Sequence, residues 1–231
     1  MTTTLITGAN KGLGHETARR LIDVGHTVYV GARDEDKARQ AAGELGALPL
    51  LIDITDDASV EAAAQRIREA GHGLDVLVNN AGVVGSRATG LEATGADIAA
   101  ALDTNVVGLV RVMHAFLPLL LESPRGVVVN VGSGLGSMGR VTDPERMESS
   151  YPQLCYSTSK AAVSMLTVQY AKSFPQLTIN VVDPGYTATD LNGHRGTQTV
   201  QQGAIAIVRA ALLGDGAPSG TFTDADGPVP W

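Results

Sequence analysis

The sequence predicts an α/β protein, read as one domain: a doubly wound sheet of about seven mostly parallel strands with helices on both faces. Three observations lead there. The strand-like segments are continuous apolar runs (TLITG, TVYVG, DVLVN, GVVVNV, INVVD), the pattern of strands buried on both faces. These runs alternate strictly with segments of helical period. The irregular stretches 83–95, 132–150 and 185–199 all follow strands at their carboxyl ends, the edge where open α/β sheets bind ligands.

Taken in order, residues 3–7 read as a strand, 13–23 as a helix, 27–32 as a strand and 34–44 as a helix. Strand 48–53, helix 59–70 and strand 74–79 follow. A long helix over 96–121 is expected to bend before Pro118, whose ring removes a backbone donor. Then come strand 127–131, a helix within 151–174 that starts after Pro152, strand 178–182, helix 200–213 and a short last strand, 220–223. No repeat or linker divides the chain.

Composition narrows the function classes. With 231 residues, 44% hydrophobic and 18% charged, the chain can bury a substantial core. A net charge of −7 argues against nucleic acid as the partner, since phosphate backbones call for a basic face. The single cysteine, Cys155, cannot close an internal disulfide, so a cytoplasmic location is expected. The first strand begins at Thr3, which leaves no room for a signal peptide. The longest charge-free apolar run, 112–121, is about half a bilayer span, so no membrane partner is expected. No metal site is expected from the five histidines.

Two motifs carry chemistry. The first is Thr7-Gly8-Ala9-Asn10-Lys11-Gly12-Leu13-Gly14, between the first strand and the first helix. Glycines there allow a tight turn and a bare backbone, and a helix N-terminus favours the charge of a dinucleotide pyrophosphate. The second is Tyr156 with Lys160, four residues apart on one helix face. A cation beside a phenol favours the phenolate, so Lys160 is expected to lower the pKa of Tyr156 and suit it to proton transfer.

The spacing T-G-x-x-x-G-x-G resembles the short-chain dehydrogenase/reductase family. Further matches run through the chain in order: Asn79-Asn80-Ala81-Gly82, Asn105, Ser133, Tyr156-x-x-x-Lys160 and Pro184-Gly185. The resemblance implies a Rossmann-type NAD(P)-binding fold and hydride transfer between a nicotinamide cofactor and a small carbonyl or alcohol substrate. It implies Tyr156 as proton donor and Ser133 as the hydroxyl that bonds the substrate carbonyl. Lys160 would also hold the nicotinamide ribose, and Asn105 a water linking Lys160 to solvent. By the same resemblance the cofactor lies along Thr7, Gly8, Asn10, Lys11, Gly12, Leu13, Gly14, Asn80, Ala81 and Gly82. Pro184, Gly185, Thr187 and Thr189 are expected near the nicotinamide carboxamide. Asp53 would contact the adenine, with the amide of Ile54 beside it. Asp53 can equally be read as a cap of the third helix.

The choice of cofactor turns on the end of the second strand. Ala32 stands where NAD-preferring members of the family commonly carry an aspartate, and Arg33 follows it. Arg33 and Lys11 together suit a 2′-phosphate. Asp34, 20 positions after Gly14, is where a ribose-binding acid would be sought, but it reads as the cap of the second helix. NADP(H) is therefore expected, with NAD(H) as the second choice. An NADP-sensing protein without catalysis would need no proton donor, which the Ser133/Tyr156/Lys160 set argues against.

Ser133 and Tyr156 are 23 positions apart, a longer separation than in many members of the family. An insertion there resembles the carbonyl-reductase-like branch, which includes monomers, whereas many members of the wider family are dimers or tetramers. Oligomeric state is therefore left open. The segments 132–152 and 185–199 are expected to form a substrate lobe. Candidate lining residues are Ser133, Gly134, Leu135, Met147, Tyr151, Leu154 and Tyr186. Trp231 is expected to anchor a surface-covering tail.

Overall fold

Consecutive valines of the GVVVNV run face opposite ways. Val127, Val129 and Val131 enter one apolar cluster and Val128 the other. The same division holds for Leu5 and Ile6, and for Leu77 between Val76 and Val78. A strand whose two faces are both covered must be apolar at every position, which is why these runs do not alternate. The computed structural model, which describes residues 2–88, 90–214 and 216–231, places them in one sheet. The predicted irregular stretch 83–95 includes residue 89, which lies outside the described residues.

In chain order the elements are β1 (Thr3–Ile6), α1 (Gly12–Asp23), β2 (Thr27–Ala32), α2 (Glu35–Leu45) and β3 (Leu48–Leu51). They continue with α3 (Asp57–Ala70), β4 (Val76–Asn79), α4 (Gly95–Leu102), α5 (Gly108–Glu122) and β5 (Val127–Val131). The last are α6 (Met138–Val141), α7 (Leu154–Ser173), β6 (Thr178–Val182), α8 (Val200–Ala211) and β7 (Phe222–Thr223). The seven strands pair in parallel throughout, in the order β3-β2-β1-β4-β5-β6-β7. Residues of α1, α2 and α8 cover one face, and those of α3, α5 and α7 the other. The winding reverses between β1 and β4, and a ligand crevice is expected outside the carboxyl ends of those strands.

Two local features differ from the sequence expectation. The long helix runs through Pro118, and its irregularity sits earlier, in a π-helical segment at Asp103–Val107. Asn105 lies within this segment and is buried. The helix Gly95–Glu122 is also long and apolar enough to cross a membrane by length and composition, with a mean hydropathy of 1.6. Its apolar side lies in the core instead, through Leu109, Val112, Met113, Phe116 and Leu120. On its other side Arg111 pairs with Asp57 at 3.0 Å and Asp103 at 3.1 Å.

Candidate active site

At the reversal point the ends of β1 and β4 are fastened together. The backbone N–H groups of Asn80 and Ala81 both donate to Thr7 Oγ1 at 3.1 Å. The Asn80 amide donates to the carbonyls of Thr7 at 2.9 Å and Gly8 at 3.0 Å. This close approach explains the glycines. A Cβ on Gly14 would stand 2.6 Å from Asn80 Nδ2 and 2.7 Å from the Gly8 carbonyl. Gly8 takes φ +63° and Gly12 φ +58°, conformations that favour glycine. Beyond them α1 begins with no side chain capping its first turn. Its free N–H groups and dipole therefore face the bare loop, an arrangement that fits a pyrophosphate.

The catalytic candidates meet at the ends of β5 and β6. Ser133 follows β5, and its hydroxyl bonds the phenol of Tyr156, which is half-buried on α7. The Lys160 ammonium lies 5.7 Å from the Tyr156 ring centroid and donates to the Val131 carbonyl at 2.8 Å. Asn105 braces this group. Its amide donates to Val83 O at 2.8 Å and Ser159 Oγ at 2.9 Å, and its Oδ1 accepts from Val83 N at 2.8 Å. A Cβ on Gly82 would come within 3.1 Å of Asn105 Oδ1 and 3.7 Å of Lys160 Nζ, so a bare backbone faces both. A cavity of about 10 Å³ reaches Thr7, Asn79, Asn105 and Lys160, room for one water. The buried Oδ1 of Asn79 has no protein partner.

The electrostatics correct one sequence expectation. Tyr156 is not lowered but pushed up to about 12, by burial first and then by the Asp183 carboxylate, against the pull of the Ser133 hydroxyl. Lys160 is brought down to about 8 by burial, with Asp183 opposing. The ammonium's bond is to a main-chain carbonyl rather than to the phenol, so desolvation outweighs the expected charge effect.

The family model described as short chain dehydrogenase matches residues 2–199. The chain belongs to the short-chain dehydrogenase family. This is a family of oxidoreductases, and similar proteins include an isopiperitenone reductase and a carbonyl reductase. A short-chain dehydrogenase of Penicillium roqueforti, anuI, is 37% identical, covering 94% of this chain and 90% of that protein. The (−)-isopiperitenone reductase of Mentha piperita is 32% identical, covering 96% of each. The NADPH-bound carbonyl reductase from chicken fatty liver superposes with a TM-score of 0.88 at 25% identity, covering 100% of this chain and 99% of that one.

Several residues singled out in this short-chain dehydrogenase have definite surroundings. Arg33 is exposed beyond β2. Its charge helps hold the Asp53 carboxyl below its ordinary range, after the larger effect of hydrogen bonds from Thr55. Asp53 accepts from Thr55 N and Oγ1, and it is Asp56 that caps α3, so the alternative reading of Asp53 as that cap is corrected. Asp34 caps α2 through Lys37 N. Lys11 is exposed, and its ammonium pairs with Asp190 at 2.6 Å. Ile54 is buried against Gly108, while Asn10 and Leu13 are partly exposed.

Between Pro184 and Gln198 the loop is knitted by its own bonds. Thr187 Oγ1 donates to Pro184 O at 3.0 Å and receives the Gln198 amide at 2.8 Å. The Thr187 carbonyl accepts from Asn192 Nδ2 at 2.8 Å. Thr189 lies over Gly12, with its Cγ2 3.7 Å from where a Cβ would stand. The rings of Tyr151 and Tyr186 approach to 6.4 Å. Met147, Tyr151 and Leu154 expose 46%, 45% and 44% of their surface, leaving an apolar rim on this side. Leu135 sits in the 3₁₀ turn Gly134–Gly136 that follows Ser133. Cys155 is buried against Gly85.

Sequence reasoning passed over Asp183 and Arg140. Asp183, at the end of β6, is buried, and its carboxylate meets Arg140 Nη1 at 2.7 Å. The same guanidinium reaches Glu148 at 3.5 Å and, through Nη2, Asp224. The tail closes over this cluster: Ser137 Oγ donates to Pro230 O at 2.5 Å, Gly139 N to Trp231 O at 2.8 Å, and Trp231 packs on Phe222.

Proposed function

We propose that the chain is an NADPH-dependent reductase of ketones or aldehydes, working reversibly as an alcohol dehydrogenase. The observation that carries this reading is the convergence of Ser133, Tyr156 and Lys160 beside the bare backbone of Gly82. A bound nicotinamide would supply the hydride. The chain's own residues would manage the proton. Ser133 would donate to the substrate oxygen and favour the negative charge that develops on it. A phenol pushed up to about 12 keeps its proton at neutral pH, the form a donor to the nascent alkoxide requires. Lys160 would hold the ribose hydroxyls, with its charge close to the phenol.

Glycines 8, 12 and 14 with the N-terminus of α1 would carry the pyrophosphate, and Asn80 with Ala81 would line the far wall. Pro184 to Thr189 would border the nicotinamide, and Asp53 and Ile54 the adenine. Arg33 would meet the 2′-phosphate. The NADPH-bound chicken carbonyl reductase supports that choice by similarity. The Lys11–Asp190 pair favours a second reading, NAD(H)-dependent oxidation of secondary alcohols, because it takes one of the two expected cations away from a phosphate. The half-exposed Met147, Tyr151, Leu154 and Tyr186, with Gly134 and Leu135, would receive an apolar substrate.

A panel of bulky cyclic ketones and small aldehydes, followed by loss of NADPH and NADH absorbance, tests both readings. Turnover with at least one ketone, and at least tenfold higher kcat/KM with NADPH, is the expected result. Equal or better turnover with NADH would replace the first reading by the second, and no turnover with either would end both.

A further inference from the structure

The core next to Lys160 holds a chain of polar side chains that the proposed reaction does not use. Asn79 and Asn130 are partners on β4 and β5. The Asn79 amide donates to Asn130 Oδ1 at 2.8 Å, the Asn130 amide to Thr167 Oγ1 at 2.9 Å, and Thr167 Oγ1 to Val163 O at 2.8 Å. Lys160, Val163 and Thr167 are spaced i, i+3 and i+7 on α7, so the chain runs along the face that carries Lys160. At its other end an acceptor is left over: Asn79 Oδ1 is buried and has no partner among the described residues. Lys160 has the complementary shortfall. Its buried ammonium has three hydrogens to donate, and one goes to Val131 O at 2.8 Å. Both residues line the cavity of about 10 Å³, whose other walls include Leu109, Val112 and Val163 of the core. The remaining polar side chains there are engaged. Thr7 Oγ1 takes two N–H groups and gives its hydrogen to Val78 O at 3.4 Å, and both amide hydrogens of Asn105 go to Val83 O and Ser159 Oγ. A cavity of this size holds one water, and a buried water needs at least two polar partners.

We propose that Asn79 is a positioning residue for Lys160: a water buried in this cavity accepts a hydrogen from the ammonium and donates one to Asn79 Oδ1, so that the amine is held between Val131 and β4. This bridge lies on the core side of Lys160 and is distinct from a water that would link it to solvent. It leaves the ammonium one hydrogen for the cofactor ribose, and in that consequence alone the inference rests on the reductase reading. The charged or titratable groups acting on Lys160 are Tyr156, with its ring centroid 5.7 Å from the ammonium, and Asp183 after β6. Neither lines the cavity. Desolvation dominates at Lys160 and disfavours the charge, which a bridge to a neutral acceptor would favour.

The test is a carbon NMR titration of the full chain with its lysines labelled at Cε. The chain has four lysines, Lys11, Lys37, Lys160 and Lys172, and Lys160→Met assigns the signal of Lys160. In Asn79→Ala the Lys160 transition is expected at least about half a pH unit lower, roughly a threefold loss of proton affinity. Asn130→Ala breaks the same bond between the two amides but keeps Asn79 Oδ1, and should leave the transition within about 0.2 unit of wild type. The high-pH limb of kcat/KM for carbonyl reduction should move with the transition in Asn79→Ala. An unmoved transition in Asn79→Ala, or an equal shift in the two variants, would overturn the proposal. If Asn79→Ala fails to fold, Asn79→Asp decides: a carboxylate one water away from the ammonium should raise the transition by about one unit, and an unmoved transition there overturns the bridge. Absence of carbonyl reduction in the wild type would defeat the functional reading alone, because the titration reads Lys160 without turnover.

Discussion

In the proposed reaction Lys160 carries a charge, and it is buried where charge is costly. Its folded pKa is about 8 against an ordinary 10.5, so the unfolded chain holds the proton more tightly. Below pH 8 both states are protonated and the full cost of burying the ammonium is present. As pH rises from 8 to 10.5 the folded state sheds the proton first, and stability rises. Lys160→Met should lack this slope. Urea unfolding across that range should show the wild type gaining up to about 3 kcal/mol relative to the variant. A constant difference would mean that Lys160 is not desolvated as described. Tyr156, Lys160 and Ser133 were legible in the sequence because spacing i to i+4 and position after a strand are local signals. Arg140 and Asp183 were not, because a pair 43 positions apart leaves no local trace. The direction of the Tyr156 shift was misjudged for a related reason. Spacing shows which groups are neighbours but not how deeply they are buried.

At the scale of elements, the glycine loop and the π-helical segment both depend on close approach. Gly14→Ala would drive its methyl into Asn80 Nδ2 and the backbone of Gly8 and Ala9. The expected cost is about 1–3 kcal/mol of stability, with NADPH affinity, read by fluorescence titration, down at least about tenfold because the loop no longer fits the pyrophosphate. Gly43→Ala is the control. It lies in α2 with nothing within 4 Å of a Cβ, and should gain about 0.5–1 kcal/mol with NADPH affinity unchanged. Equal NADPH binding in the two variants would remove the cradle from the account. The loop could be read from the chain because its residues are contiguous. The π segment could not. Asn105 is held by Val83 and Ser159, 22 and 54 positions away, and proline alone directed attention to the wrong end of the helix.

Across the whole molecule, the carboxyl edge of the sheet gathers what the chain keeps apart. The glycine loop, the Asn80 turn, the Ser133 turn and the loop after β6 are brought side by side by strand order alone. Apolar runs marked the central strands well, since β1, β2, β4, β5 and β6 are covered on both faces. The edges were less legible. β3 stops at Leu51 and β7 spans two residues, because a terminal strand has a partner on one side only. The tail was expected to cover surface, and it does so on the inserted lobe through Trp231 and Pro230. The proposed chemistry therefore depends on a phenol delivered to one point by the entire scaffold. The most direct measurement is turnover of a reducible ketone by Tyr156→Phe beside its NADPH affinity. The expected result is NADPH binding within about twofold of wild type and kcat lower by about 10²–10⁴. Undiminished turnover by a variant that binds NADPH normally would contradict it.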